Sequence, residues 1–248
     1  MPLNEKTKTA IRDYLNRELS RFVEENRSSA REKPFHARLM PILSQVRFSE
    51  RSFSTRSGSW FQQIAKLIAA QFHAEAHMNF VVKGRVQAAA VAHIDAITDA
   101  MDFGQPRRKP NREQDTREVT MVQSAGGSDR AVRSDLFVLR HDKSEMYFEM
   151  KTPEPNKGQC KKMKQDILLI TALRMGHPAE AFAAAAYNPF GDGKPYTHGY
   201  ALQFLEVGKD LLVGRDFWSL LGDKATYDEL LKISSEVGES IKQILEKG

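Results

Sequence analysis

Asp135, Glu149 and Lys151 are the residues of this chain whose types and spacing could do chemistry together. Leu136 to Leu139 and Met146 to Phe148 are short apolar or aromatic runs, and the polar break His141 to Ser144 between them makes a β-hairpin pattern. Side chains alternate along a strand, so Glu145, Tyr147, Glu149 and Lys151 share one face while Met146, Phe148 and Met150 share the other. Asp135 opens the first strand, which brings two carboxylates and an ammonium to one place. Magnesium prefers hard oxygen ligands, keeps several waters, and is commonly held by one or two carboxylates together with a substrate phosphate. A lysine beside such a pair can orient an attacking water or offset charge that develops on the phosphate. A solvated hairpin with Glu149 and Lys151 as a surface ion pair has the same spacing, and such a pair contributes little to stability.

The elements that must hold these residues are readable in outline. Asn4 to Asn26 has the apolar spacing of an amphipathic helix through Ile11, Tyr14, Leu15, Leu19, Phe22 and Val23. Ser59 to Phe72 predicts a core helix with Ser59 as its N-cap, leading into His73 and His77, which could share a metal if the helix ran on. Gln87 to Met101 is alanine-rich and predicts a closely packed helix, with His93 a structural histidine. Asp102 to Arg117 predicts a basic loop, Glu118 to Gln123 a short strand, and Ser124 to Arg130 a glycine turn into the hairpin. After the hairpin, Asn156 caps a helix from about Lys157 to Met175, and Glu180 to Tyr187 reads as a buried strand. Leu211 to Gly222 supplies an apolar anchor, and Thr226 to Leu245 a closing amphipathic helix. The expected fold class is α/β, a mixed central sheet flanked by helices with a helical N-terminal portion. One domain over 1–248 is expected, mainly helical over 1–101, with the sheet core at 117–210 and helices again at 211–248.

Composition narrows the partners. A net charge of +5 favours a polyanion. The single cysteine, Cys160, excludes an internal disulfide framework, and without a placed histidine partner it is an incidental thiol despite its lysine-rich surroundings. Neither GxxxxGK[ST] nor GxGxxG occurs, so nucleotide hydrolysis has no support. No apolar run approaches the ~20 residues of a membrane helix, and the N-terminus lacks a signal peptide's apolar stretch, so a cytoplasmic protein is the expectation. Phosphate contacts are expected from Arg107, Arg108, Lys109 and Arg112 in the basic loop, from Lys157, Lys161, Lys162 and Lys164 beside the carboxylates, and from Lys194 in the loop NPFGDGKPYTHGY. The arginines between Arg27 and Arg56 offer the same reading, and all of these residues could equally form a solvated surface.

Asp135, followed across a hairpin by Glu149-Met150-Lys151, resembles the signature of the PD-(D/E)xK nuclease superfamily, with Ser134 in place of the usual proline. Together with RSFSTRSGSWFQQIAKLIA, FEMKTPEPNKGQC, AYNPFG, GRDFWSLLG and TYDELLKISSEVG, the chain is similar to type II restriction endonucleases of the TdeIII-like group over Arg51 to Gly238. The resemblance implies a restriction-endonuclease-like core and Mg²⁺-dependent cutting of double-stranded DNA at a short palindrome, GC-rich and interrupted. It also implies a homodimer matched to a two-fold site, with a cognate DNA methyltransferase protecting the host. Asp135 and Glu149 would hold Mg²⁺ and Lys151 would act on the water, while Glu75, Ser134 and Gln165 could complete the shell. A repair or structure-specific nuclease of the same superfamily, or a DNA-binding protein without activity, would share the basic surface.

Overall fold

A computed structural model describes the backbone of residues 2–26 and 50–246. Contacts divide the chain into two compact units, Met1–Phe72 with Trp218–Gly248, and His73–Phe217.

The first unit is helical. Helix α1 (Glu5–Asn26), α2 (Glu50–Phe72) and α8 (Thr226–Glu246) make it, with α7 (Arg215–Leu221) running across the boundary. Ile11, Leu19, Phe22 and Val23 of α1 are buried as their spacing requires, and Phe22 meets Trp60 of α2 edge-on at 6.1 Å. Helix α1 is tied to α8 by Arg12 to Glu236 at 2.8 Å and Lys8 to Glu229 at 2.9 Å. Ser59 does not cap α2: it lies inside the helix, where its hydroxyl donates to the Arg56 carbonyl at 2.7 Å. The arginines at 27–49 lie outside the described residues, as does the Arg51 side chain; Arg56 pairs with Glu25 at 2.5 Å.

The second unit carries the sheet. Its five strands stand in the order β1 (Glu75–Val86), β2 (Ser128–Leu139), β3 (Glu145–Lys151), β4 (Ala179–Ala185) and β5 (Leu211–Val213). The first three are antiparallel neighbours, and β3, β4 and β5 run parallel, giving the mixed sheet the sequence predicted. Helix α5 (Lys157–Leu173) crosses from β3 to β4, and α6 (Gly199–Phe204) precedes β5. Asn156 caps α5 in a full capping box with Gln159. Alanine is a poor strand former, yet Ala181, Ala183 and Ala185 of β4 lie in the core with Cys160, Met163, Ile167 and Ile170 of α5. Their small side chains let the helix lie close on the sheet.

Two predicted elements are different. Glu118 to Gln123 is not a strand: α4 (Arg112–Val122) starts inside the expected loop, capped by Asn111, whose side-chain oxygen accepts from the Gln114 N–H at 2.9 Å. Helix α2 ends at Phe72 and the chain turns into β1 two residues past His73, so His73 and His77 are not a helical pair and the zinc option falls. Helix α3 (Ala88–Phe103) follows from β1 through Gln87. At the β1–β2 end of the sheet Gly127 has φ 100°, and a Cβ there would stand 2.2 Å from the Val86 carbonyl oxygen, so the turn requires glycine.

Candidate active site

Strand pairing sets Leu136 opposite Phe148 and Leu139 opposite Glu145, so the carboxyl end of β3 lies beside the middle of β2. Ser134 fixes that register. It is buried; its Oγ accepts from the Phe148 N–H at 3.1 Å and lies within donating distance of the Leu136 and Phe148 carbonyls, at 2.9 and 3.0 Å. The serine therefore fastens the two strands.

The residues flanking this fastening are the expected trio. Asp135 Oδ2 accepts from the Met150 N–H at 2.8 Å, which locks the aspartate between Glu149 and Lys151. Lys151 Nζ lies 2.5 Å from Glu149 Oε1, both side chains being largely shielded. Burial pushes the Glu149 carboxyl above the usual carboxylate range; Lys151 opposes the rise, and the negative charges of Asp135 and Asp166 add to it. Lys151 is shielded as well, but its pairing with Glu149 and the nearby Asp135 and Asp166 hold its pKa above the ordinary lysine value.

Asp166 was missed in the sequence. It projects from α5, lines one pocket with Arg133, Ser134, Tyr147 and Glu149, and is itself shifted upward by burial despite a pairing with Lys162. Its neighbour Gln165, the residue expected in this place, turns instead to α3, donating to Asp95 Oδ1 at 3.0 Å. Glu75 is not at the site. It opens β1 opposite Leu139, four residues along β2 from Asp135 or about 13 Å, and pairs with His77 at 3.1 Å.

Most of the expected phosphate contacts have other work. Lys164 is fully buried, with Nζ 2.7 Å from both Asp115 and Asp210. Arg108 binds Asp115 at 2.5 Å and Glu118 at 2.9 Å, and Arg112 donates to the Ala181 carbonyl at 2.8 Å and to Asp210 at 3.1 Å. These groups form one charged knot joining α4, α5 and the turn before β5. Lys161 pairs with Asp99 at 2.6 Å and Lys157 with Asp102, both lying over the exposed Phe103 ring, and Lys162 pairs with Asp166. Arg107, Lys109 and Lys194 are exposed and make no ion pair among the described residues. His93 meets Glu118 at 3.3 Å, a structural contact as expected. Cys160 is buried and its thiol is pushed up to about 11, so its lysine neighbours do not activate it.

Two carboxylates and a lysine where the carboxyl end of β3 meets the middle of β2 suit a hard divalent cation shared with a phosphate. Asp135 Oδ1 has no hydrogen bond among the described residues, and Glu149 is raised by burial and by Asp135, so the donor set fits. Among the described residues no three His, Cys, Asp or Glu groups form a closed metal cage. A mixed sheet flanked by helices with acids at this position is consistent with the restriction-endonuclease-like class. Sequence relationships carry the assignment further: residues 2–238 match the HinfI family of type II restriction endonucleases, and the chain belongs to that family. The resemblance to type II restriction endonucleases therefore holds, and the family is HinfI where the residues had suggested the TdeIII-like group.

Curated relatives from Herpetosiphon aurantiacus agree. The chain is 35% identical to the type II restriction enzyme HgiCII over 97% of its own length and 96% of that enzyme's. It is 35% identical to HgiEI and 36% to HgiBI, over 96% of this chain and 95% of each relative. No solved structure matches the chain. The protein is a site-specific deoxyribonuclease acting on double-stranded DNA, and no helix among the described residues is long and apolar enough to cross a membrane.

Proposed function

We propose that the chain cuts DNA with Mg²⁺ held by Asp135 and Glu149, and with Lys151 acting on the attacking water, the chemistry of the PD-(D/E)xK superfamily. The observation that carries this reading is the junction of β2 and β3, where one backbone hydrogen bond to Asp135 and one ion pair to Glu149 aim all three groups together. Bound there, Mg²⁺ would polarise the scissile phosphate and lower the pKa of a coordinated water. The chain's own residues do the rest. Glu149 anchors the Lys151 ammonium, which orients the water and offsets negative charge as the phosphodiester opens. Met150's N–H fixes Asp135 and leaves the other carboxylate oxygen for the cation.

In this reading the enzyme is a homodimer on a short palindrome, each copy cutting one strand, since a two-fold protein fits a two-fold site. A methyltransferase that modifies the same sequence is its functional partner, and the cytoplasm, where the DNA lies, is its place of action. The test is digestion of plasmid and phage DNA by the purified protein with Mg²⁺ and with EDTA, beside Lys151→Ala. Discrete Mg²⁺-dependent fragments, absent for the variant, support the reading; uncut DNA, or equal cutting in EDTA, rules it out.

A further inference from the structure

Strands β1 and β2 pair in one continuous register from Glu75 opposite Leu139 to Val86 opposite Ser128, with a single rung missing. The gap falls where Asn79 stands opposite Asp135, between the pairs Phe80 with Ser134 and Met78 with Leu136. Asn79 has φ 55°, in the left-handed region that non-glycine residues occupy at a cost and that clusters at functional sites. Its effect on β1 is visible in the rings. His77 and Phe80 both stack on Phe137, at 6.1 and 4.3 Å, although strict alternation would put residues three apart on opposite faces. The strand is thus rephased at the level of Asp135.

The same asparagine holds an arginine. Asn79 Oδ1 accepts from Arg133 Nη2 at 2.6 Å, and Arg133 lines the pocket that contains Glu149 and Asp166. Arg133 makes no ion pair among the described residues. Its side-chain partner among the described residues is a neutral amide, which uses a single one of its five donors. An exposed cation held in this way keeps a planar fork of donors available for two phosphate oxygens.

We propose that Arg133 contacts the scissile phosphate of the DNA and that Asn79 is its positioning residue, which explains why the strained rung lies opposite Asp135. The inference rests on the Asp135, Glu149 and Lys151 reading of the site. Arg133 stabilises negative charge on the phosphate from the β2 side while Lys151 serves the water from β3. Asn79→Gly is the informative variant, because glycine keeps the left-handed backbone and removes the amide that holds the arginine.

The experiment measures single-turnover cleavage, at saturating protein with Mg²⁺, of a plasmid carrying the site found by sequencing the ends of wild-type fragments. Binding of a duplex with that site is measured in parallel with Ca²⁺ replacing Mg²⁺. Arg133→Ala is expected to slow cleavage by about 100-fold while binding weakens by less than about 10-fold. Arg133→Lys restores part of the rate, since an ammonium supplies charge without the fork. Asn79→Gly slows cleavage by about 10-fold, and adding it to Arg133→Ala costs nothing more, because both remove one interaction. If Lys151→Ala is inactive while Arg133→Ala cuts within a factor of about two of wild type, the role of Arg133 is refuted and the trio stands. Loss of binding without loss of single-turnover rate refutes it as well. Full activity of Lys151→Ala would overturn the trio reading and this inference with it.

Discussion

Lys164→Met removes the one fully buried cation of the chain's charged knot and should destabilise the protein without touching DNA binding. Lys164 Nζ sits 2.7 Å from Asp115 Oδ2 and 2.7 Å from Asp210 Oδ2, and all three side chains are inaccessible. Breaking a buried pair by removing one partner costs roughly 3–5 kcal/mol, because the other charge is left in a medium that solvates it poorly. Here the loss belongs at the low end. Asp115 keeps Arg108 and the Asn111 N–H, and Asp210 keeps Arg112 and the Glu206 N–H, so two acids still face two arginines. A loss of about 3 kcal/mol corresponds to a midpoint lower by ~6–12 °C for a chain of this size. Thermal unfolding measures the shift, and binding of duplex DNA at several salt concentrations, well below the midpoint, measures the rest. The salt slope should equal that of wild type. A midpoint changed by less than about 1 °C together with a slope shallower by about one unit would refute the structural role and return Lys164 to the DNA surface.

Three further outcomes follow from the same geometry. Ser134→Ala strips the Phe148 N–H of its partner and frees the carbonyls that Ser134 faces; chemical denaturation should show a loss of about 1–3 kcal/mol, and cleavage should slow with Mg²⁺ dependence unchanged. Asp166→Asn should raise thermal stability at pH 8. Burial lifts the folded-state pKa of Asp166 above its unfolded value, so the native state binds the proton more readily and its stability falls as pH rises through that window. The gain from asparagine is therefore full above the raised pKa and vanishes near pH ~3, below the ordinary aspartate value; an equal gain at both ends would contradict the assignment. Replacing Arg107 and Lys109 with alanine should leave the midpoint unchanged and make the salt slope of DNA binding shallower by about two, since both are exposed and free of ion pairs among the described residues.

The hairpin, α5 and β4 were legible because each is signalled locally: the apolar runs LFVL and MYF on either side of a polar break, an asparagine three residues before a glutamine, and turn residues on either side of an alanine run. The trio came with the hairpin, since Glu149 and Lys151 share a face by alternation alone. Helix α4 was misread because EVTMVQ carries strand-forming residues, whereas Asn111 at its start, Glu113 and Asp115 in its first turn, and Val119 packed in the core settle it as a helix. β1 was overlooked although polar and apolar residues alternate along EAHMNFVVKGRV, because the spacing of His73 and His77 was read as a continuation of the preceding helix.

The basic residues show where local reading ends. Lys161, Lys162 and Lys164 are adjacent in sequence, and only the fold separates a lysine bound to Asp99, one bound to Asp166 and one enclosed by Asp115 and Asp210. Asp166 is the i,i+4 partner of Lys162 on α5, but Asp99, Asp115 and Asp210 come from α3, α4 and the approach to β5, so no local pattern could pair those three. Asp166 and Gln165 differ by one step of helical phase. That step, about 100°, aims one at the site and the other at α3.

The most direct test of the central claim is single-turnover cleavage of DNA with Mg²⁺ by wild type, Asp135→Asn, Glu149→Gln and Lys151→Ala, with folding of each verified by thermal unfolding. Folded variants that bind the duplex in Ca²⁺ yet cut it at least about 1,000-fold more slowly than wild type are the predicted result. Any one of the three cutting at the wild-type rate would contradict the site built at the junction of β2 and β3.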